Sequence, residues 1–551
     1  MKEPELVTAT QEELDEILAL ARTSLPDKQY KLLEGVLGTF VFVMLKLQNT
    51  KASLKKFQRM LFGARTETKA NLFQGKQDAR GGAGEVPQVT DGAAPEAAQA
   101  EGAPPSDEKA KDKVKGHGRN GAEAYGDSPV VEIDHPELQS GNPCPQCETG
   151  KVYDSPPRTV VKVVGQPPLG ATVYKLQCLR CRLCDSIFTA PLPEAVASTP
   201  KYDASSASML AILRYGNGMP FYRLEGLQAS LNVPLPDATQ WDIVSKAVPG
   251  PRAAFEELIR QAAQAPLLHN DDTAARVLSL KADRAKAEAA GKTPEARAIN
   301  TSSILAVVQE DRTVALYFTG HAHAGKNLAQ VLVHRARELE PPMQMCDALA
   351  CNIPVEFATV LGNCLAHARR GVVEVLEHFP QAGRYVIEII AKVYVNDATT
   401  AKEKMSPEQR LSFHQEHSGP LMQALNTWIT EQFDKRQVEP NSGLGQALRY
   451  LLEHWNELTL FLRKAGAPLD NNVSERALKR AIRHRRNSLF YKTLDGAKVG
   501  DVYMSLIHTC ELCGVNPLDY LTALQLHAED VKASATQWLP WNYREQLVLS
   551  G

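Results

Sequence analysis

The chain has 551 residues, more than one hydrophobic core usually organises, which predicts roughly two to four domains. Apolar residues make up 43% and charged residues 23%, as is ordinary for a globular protein. The formal net charge is only −2, which excludes nucleic-acid binding through global charge and leaves local basic patches. The longest apolar run, residues 36–47, is too short to span a bilayer, and the acidic, polar first residues form no secretory signal, so we expect no membrane partner.

The first 66 residues are predicted to form an N-terminal helical segment. From Leu33 to Leu61 the spacing alternates between four and three residues, which gives a heptad seam with polar interruptions at Lys51 and Gln58. The segment either packs on its own domain or forms a coiled coil. Residues 67–130 are rich in Gly, Ala, Pro, Glu and Lys and have few large apolar residues, so we expect a disordered linker there.

Cysteine pairs indicate a zinc ribbon in residues 131–192. The chain has ten cysteines, several in CxxC pairs, which suits metal binding in a reducing compartment better than disulfides. Between CPQC and CLRCRLC, the segments TVVKVVGQPP and ATVYKLQ alternate like short strands. Because Zn²⁺ takes four soft ligands and each CxxC supplies two, we expect one structural zinc ion. Its expected ligands are Cys144, Cys147, Cys178 and Cys181, with Cys184 as a substitute for either of the last two.

Residues 193–262 are predicted to be a helical domain. YRLEGLQASLNVPLPDATQWDIVSKAV has a helix, a proline-bearing turn and a second helix, which suits either a DNA-binding helix-turn-helix or an ordinary helix pair. In residues 263–375 three strands, a helix and a further strand predict an α/β core. A helical insertion is expected over residues 376–465, the second part of the core over 466–530 and a tail over 531–551.

Three carboxylates stand where this core could bring them together. Asp271 ends the first predicted strand, Asp347 follows a later strand, and Glu475 lies in the first turn of a helix after the insertion. Such a cluster suits Mg²⁺ or Mn²⁺, and two ions about 3.5–4 Å apart can cleave a phosphodiester. Alternatives remain: Asn472 and Glu475 would also form a capping box, Asp272 could replace Asp271, and the aspartates could be ordinary strand-end acids.

The helix that begins near Glu475 is strongly basic. On a helical projection Glu475 lies at the boundary between an apolar face, with Leu478 and Ala481, and a face of cations that no later acid interrupts. The apolar face would fix the helix on the sheet, and the cations would hold a polyanion beside Glu475. The expected DNA-binding residues are Arg476, Lys479, Arg480, Arg483, Arg485 and Arg486.

Separate motifs over almost the whole chain resemble the transposases of the insertion sequence 66 family. They include LFGARTETK, GHGRNGA, the CPxC…CxxC pairs, HNDDT, CLAHARR, MSPEQRLSFHQEHSGPLMQAL and LDNNVSERALKRAIRHRRNSLF. The resemblance implies a multidomain α+β and α/β protein. Its parts would be N-terminal helices, a zinc ribbon, a helix-turn-helix-like domain and a ribonuclease-H-like mixed-sheet core interrupted by a helical insertion.

The resemblance also implies the chemistry and the partners. The catalytic triad would be Asp271, Asp347 and Glu475, which would hold two Mg²⁺ or Mn²⁺ ions per active site. Water would cleave one strand at the element end, and the exposed 3′-hydroxyl would attack target DNA, in cut-and-paste or copying transposition. The partners would be the terminal inverted repeats and target DNA, a second copy of the chain and accessory proteins of the element, in the bacterial cytoplasm and at the nucleoid.

Several residues depart from the family pattern or stay outside this assignment. Ala274, the ALACN stretch after Asp347, and Tyr491 and Lys492 after LF differ from the usual residues but remove no acid. Cys364 and His367 either buttress the core or bind metal, and Cys510 and Cys513 are helix-borne thiols or a second zinc pair. The departures leave open an inactive, DNA-binding descendant. A junction resolvase fits poorly, because it would need little beyond the core.

Overall fold

The computed structural model describes residues 11–37, 136–143, 145–146, 150–154, 167–180, 187–289, 298–309 and 311–550. The chain divides into two compact units, one formed by residues 1–65 and 167–551 and the other by residues 66–166. In the second unit, Pro143 and Lys151 form an antiparallel bridge, beside which Gly141 N donates to Val152 O at 2.8 Å. In the part of the chain that the structure describes, no helix is long and apolar enough to cross a membrane.

Helices and one small hairpin precede the main sheet of the first unit. The helices are α1 (Gln11–Ser24), α2 (Glu194–Ala197), α3 (Ala204–Ala211), α4 (Phe221–Ser230), α5 (Asp237–Lys246) and α6 (Pro249–Ala263), with a π-helix at Ile212–Gly216. Residues 27–37 are also helical. The hairpin pairs β1 (Cys178–Arg180) with β2 (Ile187–Thr189) in antiparallel register.

The main sheet has five strands in the order β5-β4-β3-β6-β7. They are β3 (Leu267–Ala274), β4 (Asn300–Gln309), β5 (Arg312–Gly320), β6 (Met343–Cys346) and β7 (Val360–Asn363). The first three strands form an antiparallel meander, whereas β6 is parallel to β3 and β7 is parallel to β6. The sheet is therefore mixed, and the carboxyl ends of β3 and β6 meet at one edge.

Further helices cover the sheet or follow it. They are α7 (Leu278–Ala289), α8 (Ala324–Leu332), α9 (Leu365–Val375), α10 (Pro380–Lys402), α11 (Pro407–His417), α12 (Gly419–Asp434), α13 (Gly443–Glu453), α14 (Trp455–Leu458), α15 (Asn472–Ser488), α16 (Leu494–Leu512), α17 (Pro517–Leu526), α18 (Ala528–Ala533) and α19 (Tyr543–Ser550), with 3-10 turns at Ala350–Asn352, Leu460–Leu462 and Ala535–Gln537. Helices α9, α10, α12, α13 and α14 enclose a second hydrophobic core, which includes Leu365, Ile390, Leu425 and Leu448.

The two faces of the sheet are covered by different helices, as consecutive residues of β4 show. The Ser302 hydroxyl accepts a hydrogen bond from a side chain of α8, whereas the Ser303 hydroxyl bonds a side chain in the first turn of α15. Side chains directly opposite each other in an antiparallel pair point to the same face. Asp272, opposite Ser302, therefore faces α8, and Asp271, opposite Ser303, faces α15.

The outer edge of β5 is closed by side chains of α16. Alternate backbone N–H groups of β5 point away from β4 and donate to this helix. The pairs are Thr319 N to Asp501 Oδ2 (2.7 Å), Tyr317 N to Ser505 Oγ (2.9 Å) and Ala315 N to Thr509 Oγ1 (3.0 Å). Four residues of helix rise about 6 Å and two residues of strand about 6.8 Å, so the acceptors on one helix face match alternate strand positions.

Most of the predicted elements are present, and the structure differs from the prediction at two places. The hairpin of β4 and β5 around the Asp-Arg turn, strand β6 and the largely helical insertion are all present. The segment ATVYKLQ, predicted as a strand, is not one, because the strand begins only at Cys178. Strand β7 was not predicted. The heptad from residue 38 onward and the linker lie outside the described residues.

Candidate active site

Asp271 and Asp347 lie beside each other at the carboxyl ends of β3 and β6. The last paired residues of the two parallel strands are His269 and Met345, and each aspartate stands two residues further on. The pKa of Asp271 is raised to about 7, mainly by burial and then by the nearby carboxylate of Asp347, with smaller contributions from Asp272 and Glu475. The amide N–H of Asp272, which Asp271 Oδ1 accepts at 2.8 Å, lowers it in part. The three predicted acids therefore share one electrostatic environment.

Two residues of the CLAHARR motif contact the other two acids. Both lie on α9, one turn apart. His367 Nδ1 is 3.1 Å from Asp347 Oδ2, and this carboxylate raises the pKa of His367. Arg370 Nη2 donates to both oxygens of Glu475, at 3.1 and 3.3 Å. The buried Asp347 Oδ1 has no hydrogen-bond partner.

Glu475 does not take part in a capping box. Asn471, not Asn472, is the N-cap of α15, and its side chain does not cap the helix. The Asn472 amide donates instead to Asp470 Oδ2 at 2.7 Å. The Glu475 carboxylate is therefore not used for capping, and it accepts hydrogen bonds from Arg370 instead. This alternative reading of the Asn-x-x-Glu spacing is wrong for this helix.

Buried Asn471 fixes the start of α15 against β3. Its Oδ1 is 3.0 Å from His269 Nδ1, and its Nδ2 donates to the Asn270 carbonyl at 3.1 Å. Its backbone N–H donates to Cys364 Sγ at 3.3 Å. Burial raises the pKa of Cys364 to about 12, and its sulfur accepts this hydrogen bond at the turn before α15. These hydrogen bonds fix the start of α15 relative to β3, and with it the position of Glu475 in the first turn of the helix.

Asp272 belongs to a different cluster on the opposite face of the sheet. Its Oδ2 is 2.9 Å from His323 Nδ1 and also accepts from Ala324 N at 3.4 Å. One ligand atom each from Asp272, His323 and Cys351 lie within 4.8 Å of one another. This mixed O, N and S set suits a borderline ion such as Zn²⁺ better than Mg²⁺. Cys351 comes from the ALACN stretch that departs from the family pattern.

The oxygens of Asp271, Asp347 and Glu475 do not form so tight a group. Within the described ranges, the Asp272 cluster is the one set of three ligand atoms closer together than 4.8 Å. Mutual repulsion of like charges and the attachment of Glu475 to Arg370 both act to keep the acids apart. The three acids therefore lie near enough to act on one another electrostatically, but their oxygens do not all lie within 4.8 Å of one another.

Exposed cations line the outer face of α15. Arg476, Lys479, Arg483 and Arg486 recur at spacings of three and four residues and are all exposed; we call this set the basic stripe. Two further cations predicted to bind DNA point elsewhere. Arg480 donates to Gly216 O at 3.0 Å and pairs with Glu511, and Arg485 donates to the Ala274 carbonyl.

The predicted zinc ligands are largely outside the described residues. The ligands outside the described residues are Cys144, Cys147 and Cys181, together with the substitute Cys184. The remaining predicted ligand, Cys178, is exposed at the start of β1, and its Sγ is 3.4 Å from Thr189 Oγ1. Cys510 is buried in α16, whereas Cys513 Sγ donates to the Thr313 carbonyl at 3.7 Å. Neither thiol of this second pair belongs to a described three-ligand cluster.

Sequence comparisons relate the chain to a known family. A family model described as Transposase IS66 family matches residues 201–499, more than half of the chain and all three acids. Three relatives come from Sinorhizobium fredii (strain NBRC 101917 / NGR234). "Uncharacterized protein y4jD" is 25% identical over 67% of this chain and 71% of its own, "Uncharacterized protein y4hP" is 25% identical over 66% of each, and "Uncharacterized protein y4qI" is 29% identical over 34% and 35%. The chain belongs to the IS66 transposase family.

Proposed function

We propose that this protein is a DNA transposase that cleaves the ends of its element and joins the 3′-hydroxyl to target DNA, with Asp271, Asp347 and Glu475 as catalytic residues. The observation that carries the proposal is the register of β3 and β6, which places Asp271 and Asp347 side by side at neighbouring strand ends within the matched family region. A mixed sheet with acids at neighbouring strand ends, followed by a helical insertion and an acid on a packed helix, supports a ribonuclease-H-like core.

The three acids fit the divalent ions that such a reaction uses. Asp347 Oδ1 is buried without a partner, and the cluster of carboxylates is unfavourable unless a cation neutralises it. Hard carboxylate oxygens suit Mg²⁺ or Mn²⁺. Asp271, Asp347 and Glu475 would hold two such ions, which supply activation of the attacking oxygen and stabilisation of the leaving oxygen in phosphoryl transfer.

The chain's own residues would position these acids and the DNA. Arg370 and His367 orient the carboxylates of Glu475 and Asp347 from α9, and Asn471 fixes α15 beside β3. The basic stripe would hold the phosphate backbone alongside Glu475, which contributes affinity rather than sequence choice.

The remaining modules would recognise the element ends. The helices α4 and α5, joined by the turn at residues 231–236, have the outline of a helix-turn-helix. The cysteine pairs would hold a structural zinc ion. Because two element ends must be brought together, the active form would be at least a dimer on DNA, in the bacterial cytoplasm and at the nucleoid, with accessory proteins of the same element.

The test is cleavage of labelled DNA that carries the ends of the element, with Mg²⁺ or Mn²⁺. We expect end-specific nicking that falls below detection in Asp271→Ala and Glu475→Ala. The matched control is Asp272→Asn, which alters the neighbouring acid on the opposite face and should retain nicking. Equal nicking by wild type and the Asp271 variant would place the chemistry elsewhere. Binding without nicking by wild type would support the inactive, DNA-binding descendant.

A further inference from the structure

Two large apolar residues project into solvent where the basic helix α15 ends. Leu489 is 60% exposed and Phe490 is 43% exposed, and they are the first two residues after this strongly polar helix. Exposed apolar side chains are common singly, but two adjacent ones at the tip of a cationic element form a distinct surface feature. We call the pair the apolar tip.

The residues on either side of the apolar tip are firmly held. Ser488 Oγ accepts a hydrogen bond from Arg214. Tyr491 N donates to the Arg276 carbonyl at 2.8 Å, and the Tyr491 ring stacks on the buried ring of His484 with centroids 4.8 Å apart. The apolar tip is therefore a short projection from a rigid base and not the end of a loose loop.

The backbone of the apolar tip is strained. Leu489 has φ +67° and ψ −44°, and the N–H of Phe490 donates to the Ser488 carbonyl at 2.8 Å, so the three residues form a γ-turn. A bulky residue rarely adopts positive φ, and a glycine here would relieve the strain. Strained residues held by their surroundings cluster at functional sites.

The surroundings of the apolar tip favour a polyanionic partner. Arg486 of the basic stripe precedes it, and the exposed Lys492 follows it. The stripe itself runs from the tip back to Glu475, which lies roughly 20 Å away at about 1.5 Å per residue. A duplex lying along the stripe would place its phosphates on the cations and its bases at the tip.

We propose that Leu489 and Phe490 form a wedge that inserts between base pairs of the DNA held by the basic stripe and unstacks them. Apolar side chains inserted at base steps kink the duplex, and aromatic rings stack on unpaired bases of any sequence. This inference rests on the proposed function, because it requires DNA as the substrate. The wedge predicts that the protein binds a distorted duplex more tightly than straight B-form DNA.

The experiment compares binding of the full chain to two fluorescent 30-base-pair duplexes, one fully paired and one with two adjacent mismatched pairs at its centre. A mismatch removes part of the cost of unstacking, so wild type should bind the mismatched duplex about tenfold more tightly. The double variant Leu489→Ser, Phe490→Ser should bind both duplexes equally. Leu489→Gly, which keeps the fold and relieves the backbone, should lower the preference in the same direction.

Matched controls separate the wedge from the rest of the DNA site. Arg476→Gln should weaken binding to both duplexes and keep their ratio, and Val355→Ser, which changes an exposed apolar residue outside the tip, should behave as wild type. A preference retained in the double variant, or equal binding of both duplexes by wild type, would overturn the wedge alone. Failure of wild type to bind either duplex would overturn the proposed function together with it.

Discussion

At the scale of single residues, Arg370 would compete for Glu475 with the divalent ions of the proposed function. Its guanidinium contacts both oxygens of the carboxylate that would hold such an ion. Because the ion pair is partly exposed, with 43% of the Arg370 side chain accessible, solvent screens it, and it opposes metal binding only modestly. We expect Arg370→Gln to lower the dissociation constant for Mn²⁺ by roughly two- to fivefold.

Calorimetric titration with Mn²⁺ measures this effect, with Asp271→Asn as the baseline for ions bound elsewhere. Arg370→Lys keeps the charge beside Glu475 and is expected to bind Mn²⁺ as wild type does. An unchanged dissociation constant in Arg370→Gln would show that the ion pair does not oppose metal binding.

The sequence predicts where the three candidate acids lie on their elements better than it predicts what they contact. Asp271, Asp347 and Glu475 stand at strand ends and in a first helical turn, features that periodicity makes visible. Arg370 and Glu475 are 105 residues apart, and their contact depends on how α9 packs beside the sheet. Which of Asp271 and Asp272 faces α15 also depends on the sheet register, because consecutive strand residues face opposite sides.

At the scale of elements, α15 carries a buried histidine that couples its packing to pH. Burial lowers the pKa of His484 to about 3, and its ring is stacked between Tyr215 and Tyr491. In the folded chain His484 stays neutral below pH 6.5, whereas in the unfolded chain it takes up a proton. The free energy of unfolding therefore falls as the pH falls from about 6.5 towards 3.

The variant His484→Phe keeps an aromatic ring in the stack and cannot be protonated. We expect its free energy of unfolding to change less than that of wild type between pH 7.5 and pH 5, by about 1–2 kcal/mol. Urea unfolding at both pH values measures the difference. Buried His269 and His508, whose pKa values burial also lowers, should leave a residual pH dependence in the variant. An identical pH dependence in both proteins would contradict the assignment.

Elements with a strong periodic pattern were predictable, and short ones were not. The β4–β5 hairpin consists of two apolar runs on either side of an Asp-Arg turn, and α15 has one apolar and one basic face. Strand β7 has only four residues and includes Gly362, so it carries almost no pattern of its own. It forms because parallel pairing with β6 satisfies its backbone, a contact that sequence alone does not reveal.

At the scale of the whole molecule, the basic stripe predicts how DNA binding depends on salt. Each phosphate contact changes the slope of log K against log salt by about 0.9 on duplex DNA. The double variant Arg476→Gln, Lys479→Gln should therefore reduce the slope by about 1.8. Fluorescence anisotropy with a labelled duplex over a salt series measures it.

The control for this prediction is Arg480→Gln, which removes an inward-pointing cation from the same helix. Because Arg480 pairs with Glu511 and with a backbone carbonyl, it should leave the slope unchanged. A loss of slope in this control as large as in the double variant would mean that DNA does not lie on the outer face of α15.

The order of strands and helices along the chain could be predicted from the sequence, but the way in which they pack together could not. Composition separates the helical insertion from the strands, but nothing in it shows that the insertion builds a separate core. That core lets α9 and the start of α15 return to the same sheet edge, so residues far apart in sequence meet. The zinc ribbon and the reading of element ends stay predictions.

The contact between α16 and β5 has a consequence for how copies of this chain can meet. A neighbouring polypeptide could extend the sheet at β5 only by accepting hydrogen bonds from the outward-facing amides of this strand. These amides already donate to the side chains of Asp501, Ser505 and Thr509. Two copies of this chain therefore cannot extend one continuous sheet across this border. On the proposal that two copies pair on DNA, other surfaces of the protein or the bound nucleic acid itself would have to join them.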